Sequence, residues 1–252
     1  MTKTITPLWR IAVLVALAGI IAGCMTLSGR SRPAAAAPPA KQIVAVHAAV
    51  QAAAPAAAPA VVQASRRPIV YLTFDDGPSP AYTPQILAVL SRYGVPATFF
   101  ELGQQVSSHP GLTRAVRARG HSVQNHTWSH PNLTKVSWQR FAAEVTNTDR
   151  AIYGQLGYTP RCLRPPYGAT NRLTATRAAA LGKQLKLWTI DTRDWQRPGA
   201  ATIAGRALTR VRNGSIILMH DGGGNRSQTV AATATIVRTL KARGYTFGTL
   251  WC

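Results

Sequence analysis

The chain has 252 residues, with 29 Lys plus Arg against 8 Asp plus Glu, a formal net charge of +21. Charged residues make up 15% and apolar residues 46%, which excludes both a disordered polyelectrolyte and a polytopic membrane protein. Three cysteines exclude a disulfide-dense scaffold and a four-cysteine zinc site.

Residues 1–27 read as an export signal. Lys3 and Arg10 precede an uncharged run, Ile11 to Gly23, that closes on Ile21-Ala22-Gly23-Cys24. A short basic stretch followed by a short apolar one has this form. The run falls slightly short of the roughly 20 residues of a membrane span. Ile-Ala-Gly-Cys resembles a lipoprotein box, in which Cys24 becomes the lipidated N-terminus. An uncleaved signal anchor and ordinary cleavage near Ala34–Ala37 are the other readings. Residues 28–66 are dominated by Ala and Pro, with stretches such as Ala52-Ala53-Ala54-Pro55. They lack aromatics and large apolar surface, cannot offset their ordering entropy, and read as a semi-extended spacer.

Residues 67–252 alternate strand and helix. The apolar run Ile69–Phe74 predicts a first strand, stopped by Asp75-Asp76-Gly77-Pro78. A helix follows over Pro84–Tyr93, a strand over Ala97–Leu102, a helix over about Pro110–Arg119 and a short strand over His121–Gln124. Trp138–Tyr153 carries a helical apolar face, a strand ends near Cys162-Leu163, and a helix lies near Asn171–Leu181. Leu185–Ile190 predicts one strand, Ala200–Val211 a helix, Ser215–Met219 a strand, Ser227–Arg243 a helix and Tyr245–Leu250 a last strand. Such alternation implies a mainly parallel sheet covered by helices. Polar and ionisable residues cluster at five successive strand exits, which converge only if the strands ring a common axis. The expected fold is therefore α/β, a distorted, incomplete (β/α) barrel of about seven parallel strands.

Five segments carry the chemistry. Thr73-Phe74-Asp75-Asp76-Gly77-Pro78 sets two mutually repelling carboxylates at a strand end, a conflict that a nearby dication removes. His126-Thr127-Trp128-Ser129-His130-Pro131 spaces two imidazoles at i and i+4, which on a helical turn would share one face and grip one metal. With Asp76 they supply two nitrogens and one oxygen, an open catalytic pattern rather than a closed structural one. Leu163-Arg164-Pro165-Pro166-Tyr167-Gly168 fixes an arginine before a rigid turn. Asp191-Thr192-Arg193-Asp194-Trp195 and Leu218-Met219-His220-Asp221-Gly222 each end a strand. A histidine beside an acid, as His220 is beside Asp221, is suited to general acid work. Each segment alone is compatible with a structural turn or a loop salt bridge.

In order and spacing, these five segments resemble the polysaccharide deacetylase family (carbohydrate esterase family 4, the NodB-homology domain), over about residues 69–250. The resemblance implies hydrolytic removal of acetyl groups from a sugar polymer. It implies that Asp76, His126 and His130 hold a divalent metal, usually zinc, with Co, Ni or Mn as substitutes. It makes Asp75 the general base and His220 the general acid. Arg164 would orient the base, Asp194 would tune His220, and Asp191 would support the same region. The Tyr167 backbone N–H would help hold an oxyanion, while Trp195 and Leu218 would line a pocket for the acetyl methyl. A serine mechanism is disfavoured, because Ser129 lacks a Gly-x-Ser-x-Gly setting.

Three functions remain open at this point. They are an N-deacetylase on peptidoglycan or chitin-type oligomers, an O-acetyl esterase on acetylated xylan or a similar glycan, and a silent glycan-binding wall protein. The last is expected to lose one of Asp75, Asp76, His126, His130 or His220, and all five are present. Export places the domain at the cell surface, anchored through its N-terminus, and argues against nucleic acid as a partner. Cys162 and Cys252 are the two cysteines of the folded part, and a disulfide between them is expected to pin the C-terminus. Residues 67–252 hold 23 of the 29 basic residues and all eight acids, a net of +15 by difference. This suits attraction to anionic wall polymer or lipid headgroups, or reflects arginine usage alone.

Overall fold

A computed structural model of the protein describes residues 67–252. The export segment, the Ala/Pro spacer and Cys24 lie outside the described residues. The first strand, β1 (Ile69–Asp75), is rich in β-branched and aromatic side chains, as suits a strand packed on both faces. It lies at the centre of the sheet. Going outward on one side come β2 (Thr98–Glu101), β3 (Ser122–Asn125), β4 (Cys162–Leu163) and β5 (Gln184–Leu185); on the other come β7 (Ser215–His220) and β6 (Ile190–Asp191). Every pairing is parallel. The last strand, β8 (Thr246–Gly248), pairs with Ile69–Tyr71 of β1, below the stretch Thr73–Asp75 that pairs with β2. The strands form a curled, incomplete (β/α) barrel.

The helices are built from ordinary local signals. α1 (Thr83–Tyr93) has Pro84 in its first turn and stops at Gly94, whose left-handed φ of 62° ends the helix. Ser137 caps α4 (Trp138–Leu156) by accepting from Arg140 N, and Asn171 caps α5 (Arg172–Ala180) by accepting from Thr174 N. α6 (Ala200–Thr209) and α7 (Ser227–Ala242) pack against β1 and β7 through Ile203, Ile236, Val237 and Leu240, which meet Val70, Leu72, Phe74, Ile217 and Met219 in the main core. The single helix expected over Pro110–Arg119 is α3 (Pro110–Ala118), and a short α2 (Gly103–Ser108) precedes it. α2 has no apolar repeat long enough to show in the sequence.

One sequence expectation is overturned. Leu185–Ile190 is not a single strand: β5 ends at Leu185, and β6 begins at Ile190 on the other flank of the barrel. The segment between them crosses the open seam. Lys186 N donates to Leu163 O on one side, and Thr189 N donates to Ile216 O on the other, both at 2.9 Å. An apolar run with an interior Trp looks continuous in sequence, yet its backbone bonds change partner midway.

Because all strands are parallel, their N-terminal ends and the helix C-termini share one end of the barrel, here termed the base. After β8 the chain runs across this end. Leu250 N donates to Thr98 Oγ1 at 2.9 Å, and its carbonyl accepts from Ser122 Oγ at 2.8 Å. Cys252 then bonds to Cys162 of β4, with Sγ atoms 2.04 Å apart. Among the described residues no helix is long and apolar enough to cross a membrane.

A cross-link spanning 90 residues of sequence restricts the unfolded chain strongly. Substituting Ser at both Cys162 and Cys252 is expected to cost about 2–4 kcal/mol of stability. Thermal melts of the two proteins, with and without reductant, check this; reductant should lower the melting temperature of the parent alone.

Candidate active site

At the opposite end of the barrel, β1 delivers its two carboxylates. Asp75 is still in the ladder, in register with Phe100 on one side and His220 on the other. Asp221 N and Gly222 N donate to Asp75 O at 3.0 and 3.3 Å, which pins the strand end to β7. Asp76 leaves the ladder with φ 72°, a left-handed backbone that turns its side chain away from that of Asp75. Gly222 is needed against this turn, since a Cβ there would lie 2.1 Å from Asp76 O.

The two histidines converge without a helical turn. Residues 126–130 form a loop in which Thr127 and His130 both adopt left-handed φ values, 73° and 62°. Side chains hold the loop: Thr127 N donates to Asn125 Oδ1, His130 N to Thr127 Oγ1, and Ser129 N and Oγ to the Glu144 carboxylate. His126 Nδ1 lies 2.8 Å from Arg164 O. A carbonyl can only accept, so Nδ1 carries the proton and Nε2 presents its lone pair to the site. His126 Nε2 and His130 Nε2 each lie 3.4 Å from Asp76 Oδ1.

This triad suits a divalent cation. The three ligand atoms lie within 4.8 Å of one another. Asp76 Oδ1 is buried and has no hydrogen-bond partner. Burial opposes ionisation of Asp76, but the imidazoles of His126, His220 and His130 around it hold it well below the usual carboxylate range. Burial and the neighbouring His126 lower the pKa of His130, favouring the neutral, ligating form. Two imidazoles and a carboxylate with open positions are a donor set for a catalytic cation.

Arg164 spans the barrel interior from β4 to β1. It is fully buried, and Nη1 donates to Asp75 Oδ1 at 2.7 Å and to Thr73 Oγ1 at 2.8 Å. Nε and Nη2 reach the seam, donating to Lys186 O at 3.0 Å and Leu187 O at 3.3 Å. Its guanidinium carbon sits 3.9 Å from the Phe100 ring centroid. With Asp75 Oδ1 occupied by Arg164, Oδ2 faces the triad, 3.8 Å from His126 Nε2.

His220 is gripped by Asp194, not by its sequence neighbour. Asp194 Oδ1 lies 2.7 Å from His220 Nδ1, while Oδ2 accepts from His220 N and from Thr229 Oγ1. Burial would lower the His220 pKa, but the hydrogen bond and charge of Asp194, then Asp75 and Asp76, raise it. Successive side chains of a strand point to opposite faces, so Asp221 cannot turn to His220. It is fully buried, accepts from Thr83 Oγ1 at 2.5 Å, and packs where a Gly77 Cβ would be 2.3 Å from its Oδ2. Burial pushes Asp221 up to about 7, with Asp76 and Asp75 adding to the rise and Thr83 opposing it.

These groups line one cavity of about 480 Å³. Asp75, Asp76, His126, His130 and His220 lie together with Pro165, Tyr167, Trp188, Asp191, Trp195 and Leu218. Tyr167 has φ 63° and sets its ring edge-on to His130, with centroids 4.6 Å apart. Tyr167 and Trp195 are 69% and 51% exposed and form the rim; Leu218, on β7, is buried. Asp191 accepts from Arg193 N at 2.8 Å and shapes the turn into Asp194, without touching His220. Sequence reasoning missed Trp188, which sits in an apolar run and resembles core filling. It also missed Glu144 and Thr229, whose partners are distant in sequence, and Asn125, which holds the backbone of Thr127.

The model of the family described as polysaccharide deacetylase matches residues 63–185, which includes the triad and Arg164 and stops short of Asp194 and His220. A peptidoglycan-N-acetylglucosamine deacetylase of Listeria monocytogenes is 40% identical over 190 residues, 75% of this chain and 40% of that protein. The chain thus spans less than half the length of that relative. A chitooligosaccharide deacetylase of Rhizobium leguminosarum bv. trifolii is 41% identical over 192 residues, covering 72% of this chain and 89% of that protein. Among solved structures, a family 4 carbohydrate esterase from Streptomyces lividans, in complex with acetate, superposes with a TM-score of 0.68 at 37% identity, over 72% of this chain and 92% of that one. With a family model on the first five strands of the barrel and relatives matching across the domain, the chain belongs to the polysaccharide deacetylase family.

Proposed function

We propose that the chain is a metal-dependent hydrolase that removes acetyl groups from N-acetylglucosamine units of a cell-surface glycan, peptidoglycan first and chitin-type oligomers next. The observation that carries this reading is the pairing of Asp75 with His220. They stand side by side on β1 and β7, one held by a cation and the other by an anion, with the Asp76–His126–His130 triad beside them. The names of the Listeria and Rhizobium relatives support the choice of substrate.

An amide is a weak electrophile with a poor leaving group, so both proton transfers need assistance. When bound by Asp76, His126 and His130, a divalent cation, zinc in this reading with Co, Ni or Mn as substitutes, polarises the acetyl carbonyl and acidifies water. Asp75 Oδ2 takes the proton of the attacking water, because Arg164 occupies Oδ1. The Tyr167 backbone N–H assists the developing oxyanion. His220 Nε2 gives a proton to the departing amine, Nδ1 being committed to Asp194. Leu218 and Trp195 contact the acetyl methyl, and Asp191 orders the turn that carries Asp194. Residues 1–66 deliver the domain to the cell surface and hold it at the membrane, through lipidated Cys24 or an uncleaved signal anchor.

Acetate release from defined N-acetylglucosamine oligomers, with and without chelator, tests the proposal. Chelation is expected to abolish release and added Zn to restore it; metal-independent release would overturn the mechanism. Asp75→Asn is expected to lower kcat by about 10²–10⁴-fold, the usual span for losing a proton-transfer group. By contrast, Arg164→Met should also destabilise the fold, by about 3–5 kcal/mol, because it leaves a buried carboxylate unpaired; urea titration separates the two variants.

The pH profile follows from Asp194. His220 acts in its protonated form, and its pKa is raised, so activity persists above the ordinary histidine range and falls as pH rises through the raised value. Asp194→Asn removes the carboxylate that raises it. The alkaline limb of kcat/KM is then expected to move to lower pH; an unmoved limb would remove His220 from the acid role.

A further inference from the structure

All eight side-chain carboxylates of the chain fall among the described residues, and every one is buried or half-buried. Each is engaged at the cavity, behind it, or in an internal pair such as Asp149 with Lys183. The cations are mostly exposed and spread over the barrel surface, Arg193 and Arg197 beside the cavity among them, and one group lies at the base. Arg67, Arg92, Arg210, Arg212, Lys241 and Arg243 are all exposed. Arg67 precedes β1, Arg92 lies in the last turn of α1, Arg210 and Arg212 join α6 to β7, Lys241 lies in the last turn of α7, and Arg243 follows it. Parallel strands place all of these positions at the base, the end away from Asp75 and His220.

Direct contacts draw the group together. Lys241 Nζ donates to Tyr93 O at 2.6 Å, Arg243 Nη1 to Leu208 O at 2.8 Å, and Ile69 N to the Asn213 side chain at 2.8 Å. Cations near helix C-termini gain from the helix dipole, which accounts for Arg92 and Lys241. It does not account for Arg67 or Arg212, which lie outside helices. With no exposed carboxylate to offset them, these charges repel one another in the free domain and are matched only by an external anion. Trp251, 44% exposed, lies beyond β8, with Arg117 5.2 Å from its ring centroid and the Tyr158 ring tilted against it at 5.5 Å. An exposed Trp beside an arginine suits a membrane–water interface.

We propose that the base of the barrel docks on an anionic phospholipid surface, with the arginines on lipid phosphates and Trp251 at headgroup level. The lipid is favoured over a soluble polyanion because Arg67, inside the basic face, is where residues 1–66 join the barrel. The spacer, residues 28–66, reaches about 130 Å when extended, so the tether alone does not hold the domain against the bilayer. A basic face provides the second attachment that stable surface binding requires. Docked this way, the cavity opens away from the bilayer. The choice of lipid among anions rests on the membrane anchor proposed above, and the two fail separately.

The test uses the full-length protein with vesicles of phosphatidylcholine alone and of phosphatidylcholine with about 30% phosphatidylglycerol, read by co-sedimentation. Binding to the anionic vesicles is expected to be at least tenfold tighter. The excess should disappear near 1 M salt. It should be largely lost in the variant Arg67→Gln, Arg92→Gln, Arg210→Gln, Arg212→Gln, each cation near the surface being worth up to roughly fivefold. These four side chains form no hydrogen bond or ion pair within the described structure and stand apart from the cavity, so acetate release from soluble oligomers should be unchanged. Equal binding to the two vesicles, or parental binding by the variant, would overturn the proposal. So would binding to a poly(glycerol phosphate) wall polymer without binding to anionic vesicles. Absence of binding to neutral vesicles would instead count against the anchor in residues 1–66, leaving the anionic excess as the measure of the base.

Discussion

The barrel depends on one buried guanidinium. Between β5 and β6 there is no ladder, so the crossing segment leaves the carbonyls of Lys186 and Leu187 facing inward. Unpaired carbonyls there would cost stability. Arg164 reaches them from β4 and, with its remaining donors, grips Thr73 and Asp75 on β1. The same residue's carbonyl fixes the tautomer of His126. Closing the seam, holding the Asp75 carboxylate and setting the His126 tautomer are therefore three consequences of one residue. Lysine cannot replace it, because a point charge lacks the planar fork that serves both sides of the barrel.

Charge separation follows from this arrangement. Like charges at the mouth of the cavity are tolerable because each carboxylate has its own partner: Arg164 for Asp75, the two imidazoles for Asp76, His220 for Asp194, Thr83 for Asp221. Glu144 meets Ser129 and Arg140, and so supports the histidine loop from behind. Glu144, outside the sequence motifs, thus serves the site as well, from one layer further out.

Much of this was legible in sequence, and the failures have physical causes. Strand ends were visible because apolar runs stop at Asp, Gly and Pro, and the motif residues marked which ends carry chemistry. The histidine pair was legible as a pair but not as a shape. Spacing at i and i+4 suggests a helical turn, whereas convergence is achieved through left-handed Thr127 and His130, held by Asn125 and Glu144. The partner of His220 was open between Asp221 and Asp194 on adjacency; strand alternation turns Asp221 away. The split of Leu185–Ile190 was invisible because hydropathy records burial and not which neighbour accepts a backbone bond. Tertiary pairing decided these points, and one sequence does not contain it in local form.

The position of β1 has a consequence for the chain before it folds. Among the described strands β1 is made first and lies at the centre of the sheet, yet one whole edge and part of the other belong to β7 and β8, the last two of them. Thr73 Oγ1, for instance, donates to Ile217 O across 144 residues. A newly emerging Ile69–Phe74 must therefore wait, extended and apolar, for partners that arrive at the end, and such a strand readily pairs with copies of itself. Its flanks answer this hazard. Arg66 and Arg67 on one side and Asp75 and Asp76 on the other act as gatekeepers for the unfolded chain. The carboxylates that later define the active site thus first protect the strand that carries them.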